Sequence, residues 1–127
     1  MIINTLIWVG LGGAFGAIAR FSLATAIFKW AGKAYPYGTL SVNLIGSFAI
    51  GAAYIWLVEN EFGGDTQRQL IMVGFLGAFT TFSTFSLESL TLLQQGRFMA
   101  FFTYISLSLF GCMLATALGM ILTKQLV

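Results

Sequence analysis

The sequence predicts an all-α membrane protein of four transmembrane helices, folded as one domain over residues 1–127. Composition is the first reason. Hydrophobic residues make up 58% of the chain and charged residues only 8%, whereas an ordinary soluble domain carries about 25% charged residues. So few charges cannot coat a water-facing surface, and a small domain cannot hide that much apolar area. The second reason is the spacing of the charges, which leaves four apolar runs near the roughly 20 residues needed to cross hydrocarbon. The third is that no polar stretch between them is long enough for a separate soluble domain. A formal net charge of +2 is too small to imply a nucleic-acid partner. With no histidine and a single cysteine, Cys112, the chain has no internal disulfide and no thiol–imidazole metal cluster.

Span one runs from Thr5 to Phe28 and is interrupted only by Arg20. Ala24-Thr25-Ala26 has the look of a signal-cleavage site, but the stretch before it lacks a basic region and contains Arg20, so it reads as a span. Span two, Ala34–Val58, is uncharged. Span three, Gln69–Leu93, is uncharged as far as Leu87 and then meets Glu88. Span four, Phe98–Thr123, has no charge. Trp8, Trp30, Tyr35, Tyr37, Tyr54 and Trp56 sit near span ends, where aromatic side chains settle at the headgroups.

With four spans, the N-terminus, the second connection and the C-terminus share one side of the membrane. That side holds Arg68 and Lys124; the other holds Lys29, Lys33 and Arg97. Orientation follows the excess of Lys and Arg in short loops, and here the excess is close to nil. Two arrangements remain open: insertion both ways round, which permits an antiparallel dimer of inverted copies, or one orientation set by Lys29 and Lys33. Small residues recur four apart at Gly12 and Gly16, at Ser47 and Gly51, and at Gly111, Ala115 and Gly119. This spacing lets helix backbones approach closely in lipid.

Polar groups in hydrocarbon are costly, so those that persist are candidates for function. They are Arg20, Asn43, Glu88, the hydroxyl cluster Thr80, Thr81, Ser83, Thr84 and Ser86, and on span four Thr103, Tyr104, Ser106 and Ser108. Without histidine, a carboxylate pair or a thiol beside a base, they do not make an enzyme. The segment from Gly74 to Glu88 admits two readings. Its glycines and β-branched residues weaken a helix, and a break at membrane depth frees carbonyls that can hold a cation. Alternatively the helix is continuous and its hydroxyls bond back to their own carbonyls. Phe82 and Phe85 are three apart, so their rings are neighbours, and a phenyl ring is electropositive at its edge. Ring edges, the Asn43 amide and the Tyr104 and Ser108 hydroxyls are weak donors. They suit an anion that must bind and then leave.

Three stretches carry a family resemblance: Gly12-Gly13-Ala14-Phe15-Gly16-Ala17-Ile18-Ala19-Arg20, Tyr37-Gly38-Thr39-Leu40-Ser41-Val42-Asn43-Leu44-Ile45-Gly46-Ser47-Phe48, and Gly74-Phe75-Leu76-Gly77-Ala78-Phe79-Thr80-Thr81-Phe82-Ser83-Thr84-Phe85-Ser86-Leu87-Glu88. With them the whole chain resembles the small bacterial fluoride channels of the Fluc type. The resemblance implies a multi-pass protein of the bacterial plasma (inner) membrane, a passive exporter of cytoplasmic fluoride. It implies a third helix broken mid-membrane and an antiparallel, dual-topology homodimer with two pores, its partners being fluoride, an inverted copy and lipid. A structural sodium ion (Na+) at the dimer centre would be held by the backbone carbonyls of Gly77 and Thr80. Phe82 and Phe85 would line the pores with Asn43, Tyr104 and Ser108, and Arg20 would attract anions near a vestibule. Cys112 stands one turn beyond Ser108, where a further hydroxyl is expected. The competing readings are a small dual-topology multidrug/proton exporter, which normally needs a carboxylate in its first helix, and a non-transporting assembly subunit.

Overall fold

A computed structural model describes all of residues 1–127 as helices joined by short connections. Helix α1 spans Ile2–Ala31, and the second span, α2, covers Tyr37–Glu59. The third span divides into α3, which starts at Asp65–Gln67, widens over Arg68–Leu76 and ends in Gly77–Phe79, and α4, Phe82–Gln94. Helix α5 spans Phe98–Leu126. Four spans are thus long and apolar enough to cross a membrane.

The helix ends follow backbone chemistry. Gly32, with φ +83°, closes α1 in a conformation that side chains disfavour. Pro36 stands immediately before α2, where its missing N–H leaves nothing unpaired. Gly96, with φ +71°, lets Gln94–Arg97 reverse the chain between α4 and α5. All four helical spans differ in length from their apolar runs. Helix α1 extends beyond Thr5–Phe28 to Ile2–Ala31, and α5 continues past Thr123 to Leu126. The third span starts at Asp65 rather than Gln69. Hydropathy marks the hydrocarbon-facing part of a helix, whereas hydrogen bonding carries the helix on into the headgroup region. Span two is the reverse case at its start: Ala34–Pro36 lies outside α2 because Pro36 sets the boundary. The last turn of α2, Tyr54–Glu59, and the stretch Arg68–Leu76 are π-helical, with five-residue hydrogen bonding such as Asn60 N to Ile55 O at 2.9 Å.

Two helix pairs pack backbone to backbone. On α1, Gly12 and Gly16 leave room for the Leu70 and Phe75 carbonyls of α3; a Cβ at either position would overlap them. Gly51 of α2 faces the Thr116 carbonyl of α5, and Gly119 of α5 faces the Phe48 carbonyl of α2. The spacing signals at Gly12/Gly16, Gly51 and Gly119 are therefore close approaches between helices. At the end of α2 and α5, Lys124 and Glu59 form an ion pair at 2.8 Å, which places the second connection beside the C-terminus. A small core of Leu40, Phe85, Leu92 and Tyr104 joins α2, α4 and α5. Only 21 of the 127 residues are buried, so one copy leaves long apolar faces, among them Phe15, Ile18, Phe21, Phe102 and Phe110, for lipid or another chain.

This packing predicts a contrast among glycines. Gly51→Val or Gly119→Val should lower stability in detergent by about 1–3 kcal/mol through overpacking, whereas Gly10→Ala, with open space around its Cβ position, should be neutral or slightly stabilising. Thermal unfolding of the three purified variants measures the difference.

Candidate functional site

Between α3 and α4 the backbone leaves the helical region for two residues. Thr80 has φ −88° and ψ 156°, and Thr81 has φ −147° and ψ 116°. Such a pair strands peptide groups that a helix would otherwise satisfy. Four side chains answer this with five hydrogen bonds. Asn43 of α2 accepts from the Thr81 N–H at 2.8 Å and donates to the Thr81 carbonyl at 3.0 Å, so its amide acts as a neighbouring strand would. The Thr81 hydroxyl caps α4, accepting from the Thr84 N–H at 3.2 Å. The Thr80 hydroxyl donates back to the Leu76 carbonyl at 3.1 Å. On the far side, Arg20 of α1 donates through Nε to the Ala78 carbonyl at 3.0 Å. No hydrogen bond ends on the Thr80 carbonyl, and no side chain donates to the Gly77 carbonyl.

Beside the extended pair lies an open groove of about 350 Å³. Asn43, Gly77, Thr80, Phe82, Phe85 and Ser108 all line it, together with Thr81 and Cys112. Six of the eight pore and sodium-site residues expected from the sequence therefore share one concave surface. Phe82 is 73% exposed and Phe85 only 8%, and their ring centroids are 5.4 Å apart at an interplanar angle of 53°. The Ser108 hydroxyl is buried on the same groove and has no hydrogen-bond partner. A buried polar atom without a partner is uncommon, and Ser108 is one of the residues lining the groove.

The other two predicted residues sit around this groove rather than on it. Arg20 stands behind the extended pair, at the Ala78 carbonyl, and pairs with no acidic side chain. Tyr104 is wholly buried behind Phe85, centroids 5.2 Å apart and rings at 62°. Its hydroxyl donates to Glu88 Oε2 at 3.2 Å, while Thr39 donates to Glu88 Oε1 at 2.5 Å. Tyr104 and Ser108 share the buried face of α5, as their spacing requires, yet they serve different neighbours. Thr39 is a site residue that sequence reasoning passed over, and Thr81, one of the hydroxyl cluster, is the member that caps α4. Thr81 was legible as an N-cap before Phe82, but Thr39 carries no local signal.

Residues 7–120 match the family described as CrcB-like protein, Camphor Resistance (CrcB). The chain belongs to the CrcB family. It is 45% identical over 124 residues to the Fluoride-specific ion channel FluC of Hahella chejuensis, covering 98% of each chain. It is 45% identical over 117 residues to the FluC of Magnetococcus marinus, covering 92% of this chain and 95% of the relative. The FluC of Sulfurovum sp. is 46% identical over 121 residues, 95% of this chain and 94% of the relative. These relatives are ion channels, not enzymes, and with four apolar helices this CrcB-family chain is a multi-pass membrane protein.

The site contrasts two polar groups. Asn43→Ala should leave the Thr81 N–H and carbonyl without their partner and lower stability by about 1–3 kcal/mol. Ser108→Ala removes a hydroxyl that holds nothing in the fold and should unfold with the parent. Denaturation midpoints in detergent distinguish the two.

Proposed function

We propose that this chain is a passive, fluoride-selective channel that lets cytoplasmic fluoride leave across the bacterial inner membrane. The observation that carries the reading is the groove at Thr80–Thr81, where a partnerless buried hydroxyl, Ser108, stands among aromatic and hydroxyl side chains with no ionised group on its lining. Fluoride is small and tightly hydrated, so a path must replace its water with donors and still release it. A full positive charge would hold the ion too firmly. The Ser108 hydroxyl, the remaining Asn43 N–H and the electropositive edges of Phe82 and Phe85 are weaker. The names of the curated relatives support fluoride as the ion.

The working unit is an antiparallel homodimer of inverted copies. Three features favour it: near-balanced loop charge, the apolar faces that one copy leaves open, and Phe82, which is exposed in a single chain although it belongs to the groove. The extended pair is then the mid-membrane break of the third span, buried between copies where irregular backbone is tolerated. The carbonyls of Gly77 and Thr80 would hold a structural sodium ion, oxygen ligands being the natural partners of a hard cation. The donor set fits, since the neighbouring Ala78 and Thr81 carbonyls are engaged by Arg20 and Asn43 while that of Thr80 is left over. Such an ion supplies positive charge at the break without an ionised side chain. Arg20, unpaired on the other side of the break, adds to the field that favours anions. A proton-coupled exporter needs a carboxylate open to cargo, and both Glu88 oxygens are held by hydroxyls.

Liposomes carrying the protein should release fluoride, read with an ion electrode, and retain chloride. Phe82→Ile and Phe85→Ile keep apolar volume and lose the ring edge; each should slow fluoride release at least about tenfold while the dimer persists. Absence of fluoride release from a folded dimer, or parental rates in both variants, contradicts the reading. Replacing all sodium with a bulky organic cation over prolonged incubation should destabilise the dimer; an unchanged melting midpoint removes the sodium site.

A further inference from the structure

A second cavity, of about 420 Å³, lies at one end of the bundle and shares no lining residue with the groove. The connection after α1 and the last turns of α4 enclose it. Phe28, Pro36, Leu87 and Leu92 give it apolar walls, and Lys33 and Arg97 are its two cations. Glu88, Thr91 and Gln95 line it from one stripe of α4, three and four residues apart. Glu88 is the deep end of that stripe, about 10 Å below Gln95 along the helix axis, and its oxygens already accept from Thr39 and Tyr104. Neither cation has an acidic partner. Lys33 is exposed and makes no hydrogen bond, while Arg97 donates only through Nη1, to the Ala34 carbonyl. Its Nε and Nη2 donors remain open. The opposite end of the bundle differs: there Lys124 is paired with Glu59, and Arg68 stands beside Asp65.

The cavity sits at headgroup depth. Trp30, 89% exposed, and Tyr37 mark the same ends of α1 and α2, where aromatic side chains settle at the membrane surface. Two unmatched cations above apolar walls at that depth complement an amphiphile that carries a phosphate. We infer that the cavity binds one anionic phospholipid in each copy, with the lipid phosphate at Lys33 and Arg97 and the upper part of an acyl chain against Phe28, Leu87 and Leu92. A guanidinium offers paired donors to phosphate oxygens and an ammonium adds a mobile point charge. Basic pockets between helix ends are where anionic headgroups are held. A free phosphate would leave the apolar walls unused, and a zwitterionic headgroup brings an ammonium of its own against the two cations. The inference goes beyond the channel reading and holds whichever ion the chain conducts.

The test is native mass spectrometry of the detergent-purified protein, titrated with phosphatidylglycerol or with phosphatidylcholine. Phosphatidylglycerol should bind as one tight equivalent per copy, at least about tenfold tighter than phosphatidylcholine. Lys33→Gln should weaken it about fivefold and Lys33→Gln/Arg97→Gln about thirtyfold, each juxtamembrane cation contributing roughly a factor of five. Lys33→Arg/Arg97→Lys should bind more tightly than the neutralised pair. Thr91→Phe, which fills the cavity and keeps both cations, should also weaken binding, and Lys124→Gln at the other end should bind like the parent. Equal binding of the two lipids, or parental affinity in the double variant, overturns the inference. So does an equal loss in Lys124→Gln, which marks unspecific charge, or parental affinity in Thr91→Phe, which marks a surface effect without the cavity. Displacement of the lipid by an excess of inorganic phosphate assigns the cations to a free anion and also overturns it. If the double variant fails to fold, Lys33→Gln, whose side chain holds nothing in the fold, decides between the same outcomes.

Discussion

The arrangement depends on one constraint: a peptide group in hydrocarbon must find a partner inside the protein. Thr80 and Thr81 leave the helical region in the middle of an apolar span. Each peptide group left unpaired there would cost about 1–3 kcal/mol. The Asn43 side chain removes most of that penalty by bonding both polar atoms of Thr81. Arg20 and the Thr81 hydroxyl settle the flanking residues. Helices α1 and α2 are therefore tied to the interruption by one polar side chain each, Arg20 and Asn43, and the close packing at Gly12, Gly16, Gly51 and Gly119 brings the spans near enough to make those contacts.

The same economy of charge runs through the site. The groove is lined by hydroxyls, an amide and phenyl rings, and the ionised groups are held off it: Arg20 behind the extended pair, Glu88 behind Tyr104 and Phe85. On the proposed channel reading, a neutral lining weakens the grip on an anion, while the positive field of Arg20, set at a distance, favours an anion over a cation. Asn43 has two duties in this scheme. Two hydrogen bonds hold the backbone at Thr81, and the residue also lines the groove.

Much of this was legible in the residues. The four spans follow from charge spacing, and Gly12 with Gly16 predicted a close helix contact that α1 and α3 make. The three-residue spacing of Phe82 and Phe85 predicted neighbouring rings, which stand 5.4 Å apart. What stayed hidden depends on contacts distant in sequence. Glu88 was visible as a lone acid, but Thr39 lies 49 residues away from it and Tyr104 16 away, and no local spacing joins them. Asn43 was visible as a donor, whereas its grip on Thr81 requires knowing which helix faces which. The π-helical turns had no signal either, because they shift hydrogen bonds without changing the apolar pattern of the side chains.

The most direct test of the account is amide hydrogen exchange at Thr81, measured by NMR on the protein in detergent micelles, parent against Asn43→Ala. If the Asn43 carboxamide holds the interruption, the Thr81 N–H exchanges slowly in the parent and at least about tenfold faster in the variant, while amides in the middle of α1 and α5 keep their rates. Equal exchange at Thr81 in both proteins would mean that something other than Asn43 satisfies that peptide group, and the account would fail at its centre.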